Sequence, residues 1–145
     1  MDKSKELACN IRLVNEKLKF SGTVSGNDPV QIDYIPPFGD SSGYTSLELL
    51  LLSLSSCLGS AVLIFLRRMG KTITGFEISS EGLRRTEHPT GFSRIIMKID
   101  IISENTLNED LDKVIKMAEE KYCPVWSMIK GNVETEVHYT IRKAE

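Results

Sequence analysis

An uncharged run of eighteen residues, LLLLSLSSCLGSAVLIFL at positions 49–66, constrains this chain more than any other feature. The run reaches the lower length limit for a helix that spans a membrane. It also has the length of a central helix in a protein core, and it carries Cys57 near its middle. Three alternatives follow: a membrane span, an ordinary buried helix, or a helix that holds a reactive thiol.

Small, weakly polar side chains lie along one face of this predicted helix. The i, i+3, i+4, i+7 spacing is met by Ser53, Ser56, Cys57 and Ser60. Such a stripe allows a second backbone to approach closely. The rest of the chain is amphipathic and strand-rich, and no asymmetry of basic loops marks an inside end. The pattern therefore favours a helix buried in a soluble core or in a dimer over a membrane span.

Length, charge and cysteine content narrow the class of protein. A chain of 145 residues has the size of one domain, so we expect a single domain over 1–145. The balance of 18 basic against 20 acidic residues predicts no nucleic acid partner and no binding to an anionic membrane. Three widely spaced cysteines favour an intracellular chain over a secreted disulfide framework. The polar start MDKSKELACN does not resemble a signal peptide, so we expect a cytoplasmic protein.

Hydrophobic periodicity predicts an α+β fold. Three short N-terminal strands are indicated by alternation within 7–13, 18–20 and 30–34. TSLE at 45–48 has the form of a capping box, which predicts a helix from there to about Met69, with Gly70 ending it. Two further strands are indicated by Phe76 and Ile78 and by the segment 95–101, with a turn at EHPTG, 87–91.

The C-terminal third has two predicted helices and a strand. Thr106 is the expected N-cap of the first helix, with Glu109 as its capping-box partner. Cys123 is expected to cap the second, short helix, with Pro124 at its first position. Alternation over 133–141 predicts the last strand.

Cys57 is the first candidate for chemistry. A free cysteine is a common small core residue, and a buried thiol is usually inert, so packing is the alternative to catalysis. The middle of a helix gives a thiolate no dipole stabilisation, and a reactive Cys57 would need a cation from another element. The strands offer four: Arg12, Lys19, Arg94 and Lys98.

Cys123 is better placed, since the start of a helix with free N–H donors would favour its thiolate. Simple packing is the alternative here too. Two thiols that meet in space could react in sequence with an oxidant and with each other. We expect Cys9 to pack in the core. Tyr122 and Trp126 are also expected to pack there, and the alternative is that they wall an apolar pocket beside Cys123. His88 is expected at the surface, with substrate contact as the alternative, and His138 is expected to face solvent.

The residues resemble those of a known family. The run GYTSLELLLLSLSSCLGSAV, the EHP turn and the segment AEEKYCPVWSMI with its closing strand are similar to the OsmC/Ohr superfamily of osmotically inducible and organic hydroperoxide resistance proteins. The resemblance covers nearly the whole chain. It is closest to the broadly distributed OsmC-like branch, many members of which lack an assigned role.

This resemblance implies a fold and an assembly. The expected fold has antiparallel sheets wrapped around a long central helix, in an intertwined homodimer with sites at the dimer interface. The resemblance also implies that Cys57 attacks a peroxide oxygen and that Cys123 then forms a disulfide with it. Dithiol reductants, lipoyl groups among them, complete the cycle, so no metal, haem or flavin is implied.

The chain departs from the family pattern at the residues that activate the thiol. In the hydroperoxide-resistance branch these are an arginine from the N-terminal strands and a glutamate ten residues before the cysteine. Leu47 occupies that second position here, and Glu48 follows it. Lys19, in the N-terminal strand region, is the candidate for the position of this arginine, although a lysine lacks the planar fork of a guanidinium. Glu48 and Lys19 are therefore the candidate activating residues, and a capping role is the alternative for Glu48.

Two hypotheses for function follow. The first is a thiol-dependent peroxidase acting on organic hydroperoxides or hydrogen peroxide through Cys57 and Cys123. The alternative is a noncatalytic OsmC-like protein that binds a small molecule and retains its cysteines only for packing.

Overall fold

Residues 2–145 are described by a computed structural model. Its elements, in chain order, are β1 (Asn10–Leu13), β2 (Phe20–Thr23), β3 (Val30–Ile32), α1 (Ser46–Arg68), β4 (Ile73–Arg84), β5 (Phe92–Ser103), α2 (Asn108–Met117), a π-helical turn (Ala118–Tyr122), α3 (Pro124–Ile129) and β6 (Glu134–Arg142). The predicted α+β class is confirmed. The chain divides into two compact units, Met1–Leu50 and Leu51–Glu145. The expectation of one domain over 1–145 stays a prediction.

The first unit contains a small antiparallel sheet in the order β1-β2-β3. Leu13 pairs with Phe20, which pairs in turn with Ile32. Three N-terminal strands were predicted, and three are present. The expectation that Cys9 lies in the core was wrong, because Cys9 precedes β1 and is exposed. All four residues of β1 are exposed too, so alternation in this segment does not mark a buried face.

The loop between β3 and α1 is organised by Asp33, which is 3 % exposed. Its carboxylate accepts hydrogen bonds from the Ser42 hydroxyl at 2.7 Å and from the Tyr34 N–H at 2.7 Å. These bonds, led by that of Ser42, lower the pKa of Asp33 to about 2. Gly43 is required in the same loop, because a Cβ there would lie 2.5 Å from the Gln31 carbonyl oxygen. The loop therefore has a defined conformation where it leads into α1.

Helix α1 begins and ends where local signals predict. The Thr45 N–H donates to Glu48 Oε1 at 2.8 Å, and the Glu48 N–H donates to Thr45 Oγ1 at 3.2 Å, which completes the capping box. Gly70 follows the helix with φ +78°, a conformation that glycine adopts at little cost. One face of the helix is buried, through Leu54, Leu58, Gly59, Ala61, Val62 and Leu66.

By length and composition alone, α1 is also apolar enough to cross a membrane. One third of its most apolar window is buried inside the protein. Core helices of soluble proteins have the same length and composition, so this is weak support for a membrane span. The expectation that the protein does not span a membrane stays a prediction.

The second unit contains the sheet β4-β5-β6, which packs against α1. The inward side chains of β5 are fully buried, and they are Ile95, Met97, Ile99 and Ile101. Gly59 allows close contact with this sheet, since a Cβ there would lie 3.2 Å from the Phe76 ring. Of the four strand pairings in the two sheets, three are antiparallel as expected, but β6 runs parallel to β5. The helical segment between them makes the crossover that parallel pairing needs.

The predicted cap of α2 was wrong. Leu107 is the N-cap, and its N–H donates to Asp110 Oδ2 at 2.8 Å, so Asp110 replaces Glu109 as the partner. Thr106 is buried, and its hydroxyl hydrogen-bonds the Ser103 hydroxyl at 2.7 Å instead of capping the helix. The predicted start of α3 is confirmed, with Cys123 at the N-cap and Pro124 in the first turn.

Candidate functional site

Cys57 lies in the middle of α1 and is partly exposed. It lines a groove of about 460 Å³ that follows one face of the helix. The groove is further lined by Ser56, Ser60, Ala61, Ile64, Phe65 and Arg68 of α1, and by Tyr122 and Pro124. A small molecule in this groove would meet a thiol at one end and apolar side chains along the walls.

Cys123 approaches Cys57 from a different element. A π-helical turn precedes it, closed by a hydrogen bond from the Cys123 N–H to the Ala118 carbonyl at 2.9 Å. The Cys123 side chain is 1 % exposed and lies close to Cys57, whose thiol adds to the rise in the Cys123 pKa. The fold therefore brings together two cysteines that are far apart in the sequence, one beside an open groove and one buried.

Burial raises the pKa of the Cys123 thiol to about 11. The N–H groups of Trp126 and Val125 lower it, as expected at a helix start, and the contact with Cys57 raises it further. The expectation that the helix start would favour a Cys123 thiolate was therefore wrong in its net direction. Desolvation of the buried sulfur outweighs the backbone donors, and Cys123 is a neutral thiol at pH 7.

Arg94 and Lys98 were two of the candidate cations for Cys57. Both alternate with the buried residues of β5, and so they lie on the sheet face that points away from α1. Arg94 forms an ion pair with Glu136, and Lys98 Nζ lies 3.8 Å from Asp100 Oδ1. Neither is placed to act on Cys57. Arg12 and Lys19 belong to the first unit.

The comparisons with known proteins give the family. Residues 39–138 match the family model of the OsmC-like proteins, which is well over half of the chain. The chain belongs to the OsmC-like family. Among curated proteins, none matches it.

Solved structures of OsmC-like and related proteins have the same fold. A hypothetical protein from Aquifex aeolicus VF5 superposes with a TM-score of 0.85 at 24% identity, over 97% of this chain and 99% of the other. An OsmC-like protein from Mycoplasma pneumoniae gives 0.78 at 18% identity over 100% of both chains. An organic hydroperoxide resistance protein OsmC from Legionella pneumophila gives 0.69 at 14% identity, over 93% and 96%. These similarities establish the OsmC-like fold predicted from the sequence.

The OsmC-like pattern suggested Glu48 and Lys19 as activating residues. Glu48 is exposed, and its carboxylate accepts the Thr45 N–H, a bond that also lowers the pKa of Glu48. Its capping role is therefore present. Lys19 is half-buried directly before β2, where its N–H donates to Asn15 Oδ1 at 3.1 Å. Both residues belong to the first unit, whereas Cys57 and Cys123 belong to the second.

Other side chains noted in the sequence have simpler positions. Trp126 is 4 % exposed, which confirms core packing, and His138 faces solvent as expected. Core packing was wrong for Tyr122, which is 44 % exposed and lines the groove. His88 lies exposed in the turn between β4 and β5.

Sequence reasoning missed Arg68 and Phe65 as groove residues of this OsmC-like protein. Arg68 follows Cys57 by eleven residues and Phe65 follows it by eight, so helical periodicity places both on the same face as Cys57. This spacing could have predicted them as neighbours of the thiol. The groove is also lined by Tyr122, whose ring packs against that of Phe65 with centroids 4.6 Å apart and the ring planes tilted by 55°. The π-helical turn that ends at Tyr122 has no sequence signature.

Proposed function

We propose that this protein is a thiol-dependent peroxidase that reduces organic hydroperoxides or hydrogen peroxide through Cys57 and Cys123. The observation that carries the proposal is the proximity of the two thiols, one beside an open groove and the other buried. Membership in the OsmC-like family supports it. So does the name of the Legionella neighbour, an organic hydroperoxide resistance protein.

The reaction proceeds in two steps. Cys57 loses its proton, and its sulfur attacks one oxygen of the hydroperoxide. The O–O bond breaks, the other oxygen leaves with a proton as an alcohol or water, and Cys57 becomes a sulfenic acid. Cys123 then gives up its proton and attacks the Cys57 sulfur, so that the S–S bond forms and the hydroxyl leaves as water.

An external dithiol completes the cycle. It reduces the Cys57–Cys123 disulfide to two thiols and is itself oxidised to a disulfide. The two electrons taken by the peroxide are thus supplied by the dithiol, of lipoyl type or another. The cycle uses no metal, haem or flavin.

The different environments of the two cysteines support this division of roles. Cys57 borders the groove through which a peroxide would enter. Cys123 is protonated at neutral pH and shielded from solvent, and it lies beside the cysteine that becomes oxidised. A thiol in that position suits the second step.

We further propose a cytoplasmic homodimer. Exposed apolar side chains on α1, among them Leu52 and Ile64, lie beside the small residues Ser53, Ser56 and Ser60, and this surface suits the helix of a second copy. A reducing cytoplasm would keep all three cysteines as free thiols between turnovers.

The test is steady-state consumption of cumene hydroperoxide with dihydrolipoamide as the reductant. We expect the wild type to turn over, Cys57→Ser to lose all activity, and Cys9→Ser to keep it, because Cys9 lies exposed in the other unit. Equal consumption by the wild type and by Cys57→Ser would reject the proposal.

One observation favours a noncatalytic binding protein as the second candidate. Glu48 is bonded to Thr45 in the capping box, and Leu47 occupies the position of the family's activating glutamate. This alternative predicts that native mass spectrometry detects a retained small molecule and that neither thiol of the pair reacts with peroxide. An empty protein that consumes peroxide quickly would exclude it.

A further inference from the structure

The π-helical turn between α2 and α3 changes the spacing of the buried residues in this segment. The fully or almost fully buried apolar residues are Leu111, Val114, Ala118, Cys123 and Trp126. Successive members are three, four, five and three residues apart. Intervals of three and four are those of an α-helix, in which about 3.6 residues complete one turn. The interval of five coincides with the π-helical turn, Ala118–Tyr122.

The hydrogen bond that closes this turn brings Cys123 back to the side of Ala118. The Cys123 N–H donates to the Ala118 carbonyl at 2.9 Å, so five residues complete the turn. In an α-helix, Cys123 would be rotated from Ala118 by about 140°, and Tyr122 by only about 40°. An α-helical turn would therefore bury Tyr122 and direct Cys123 outwards. The observed burial is the reverse, since Tyr122 is 44 % exposed and Cys123 is 1 % exposed.

These two adjacent side chains face different parts of α1. Cys123 lies close to Cys57. The Tyr122 ring packs against that of Phe65, with centroids 4.6 Å apart. Phe65 follows Cys57 by eight residues, which is about 12 Å along the helix axis. Of the two residues, Cys123 is therefore the one directed at Cys57.

Pro124 determines where the turn ends. A residue before proline is disfavoured in the α conformation, and Cys123 is extended, with φ −108° and ψ 96°. Pro124 also has no N–H with which to continue the hydrogen-bonding pattern of the turn. The helical path therefore stops at Cys123, where the thiol is on the buried side.

We propose that the π-helical turn positions Cys123 for disulfide formation, because its additional residue directs Cys123, in place of Tyr122, towards Cys57. This rests on the peroxidase proposal, in which the Cys123 sulfur bonds to the oxidised Cys57 sulfur and the hydroxyl leaves as water. Two cysteines whose Cβ atoms point apart cannot be bridged without movement of the backbone. The spacing of Cys123 from Ala118 thus decides whether the disulfide forms.

The test moves the thiol by one residue. In a Cys9→Ser background, we compare Tyr122→Cys/Cys123→Ala with the matched control Tyr122→Ala, which loses the same ring but keeps the thiol in place. Diamide oxidises a pair of thiols to a disulfide by taking their two hydrogens, and peptide mass spectrometry measures the link to Cys57. The control should link as fast as the parent protein. The double variant should link about a hundred-fold more slowly, the size of effect that a misplaced reactive group has.

Because diamide needs no peroxidase activity, this measurement separates the inference from the peroxidase proposal. Equally fast linking in the double variant and the parent overturns the inference, even if the wild type consumes cumene hydroperoxide. So does the absence of a link between Cys57 and Cys123 in the parent. The predicted contrast in a protein that does not consume cumene hydroperoxide overturns only the peroxidase proposal.

The wild type also allows a direct measurement of the turn by nuclear magnetic resonance. A scalar coupling across the hydrogen bond should join the Cys123 amide nitrogen to the Ala118 carbonyl carbon. An α-helical turn would couple the Cys123 nitrogen to the Glu119 carbonyl instead, and that result would overturn the inference. This measurement needs no substitution, so it tests the turn even where a variant does not fold.

Discussion

Cys57 and Cys123 are close neighbours, yet their surroundings differ in the way that a two-step thiol reaction needs. Cys57 is open to a groove, while Cys123 is 1 % exposed and is a neutral thiol at pH 7, since burial raises its pKa. The Cys-Pro pair in the sequence correctly predicted that Cys123 lies at the start of α3. The sequence did not predict that the pKa of Cys123 is raised, because the burial of this thiol comes from packing between distant segments.

The difference predicts selective alkylation. Iodoacetamide at pH 8 should modify Cys57 and the exposed Cys9 in the folded, reduced protein and leave Cys123 free, because Cys123 is both shielded and protonated. Peptide mass spectrometry after short exposures reads the order of modification. The control is the same reaction in urea, where all three cysteines should react. Modification of Cys123 as fast as Cys57 would contradict the assigned environments.

The same pKa predicts a loss of stability at high pH. An unfolded cysteine releases its proton near pH 9.0, whereas Cys123 in the folded protein holds it until about pH 11. Between these values the unfolded state binds fewer protons, so the free energy of unfolding falls as the pH rises. Cys123→Ala should show a shallower fall than the wild type in urea titrations from pH 8 to 11. Cys9→Ala is the control and should follow the wild type. If the stability of Cys123→Ala falls with pH as steeply as that of the wild type, Cys123 does not contribute to the pH dependence.

Among the secondary-structure elements, α1 was predicted almost to the residue and α2 was not. TSLE and Gly70 are strong local signals at the ends of α1, and Thr45 and Glu48 bond to each other as the capping box requires. At α2 the hydroxyl of Thr106 is taken by Ser103, a residue of β5, so the cap moves to Leu107. The parallel pairing of β6 with β5 was likewise not predicted. Hydrophobic alternation predicts that a segment is a strand, but it does not predict which strand that segment pairs with.

The observed cap of α2 predicts a contrast between two neighbouring carboxylates. Asp110 accepts the Leu107 N–H and lies 3.0 Å from Lys71 Nζ, whereas Glu109 is exposed. Asp110→Asn should lower the free energy of unfolding by about 1–2 kcal/mol, and Glu109→Gln should change it by less than about 0.5 kcal/mol. Urea denaturation at pH 7 measures both. Equal effects would favour the cap predicted from the sequence.

The pH dependence of the Asp110 effect has a defined sign. Its pKa is lowered below 3.8, first by the Leu107 N–H and then by Lys71, so its stabilisation is present above the unfolded pKa. The stabilisation is lost as the pH falls through the folded pKa. The stability difference between the wild type and Asp110→Asn should therefore shrink as the pH is lowered towards 3.

For the whole molecule, the family fold and the peroxidase proposal agree on a central pair of cysteines beside a groove on α1. The sequence predicted the α+β class and the OsmC-like fold. The family resemblance, which includes the segments around both cysteines, extends over most of the chain. The sequence did not predict that Arg68 lines this groove. Arg68 becomes part of a site only when Tyr122 packs on Phe65, a contact between residues far apart in the sequence.

The proposed homodimer predicts the mass of the protein in solution. The exposed apolar residues of α1 should be covered by a second copy, so light scattering should give about twice the 16.3 kDa of one chain. The measurement is repeated over a dilution series, which separates a stable dimer from concentration-dependent association. A mass near that of one chain at all concentrations would contradict the dimer.

The most direct test of the central claim is mass spectrometry of the reduced protein before and after one equivalent of cumene hydroperoxide. The peroxidase proposal predicts the rapid loss of two hydrogens and a peptide that links Cys57 to Cys123, with Cys9 still free. An unchanged mass, with both thiols of the pair still reduced, would contradict a two-cysteine peroxidase and favour the binding protein.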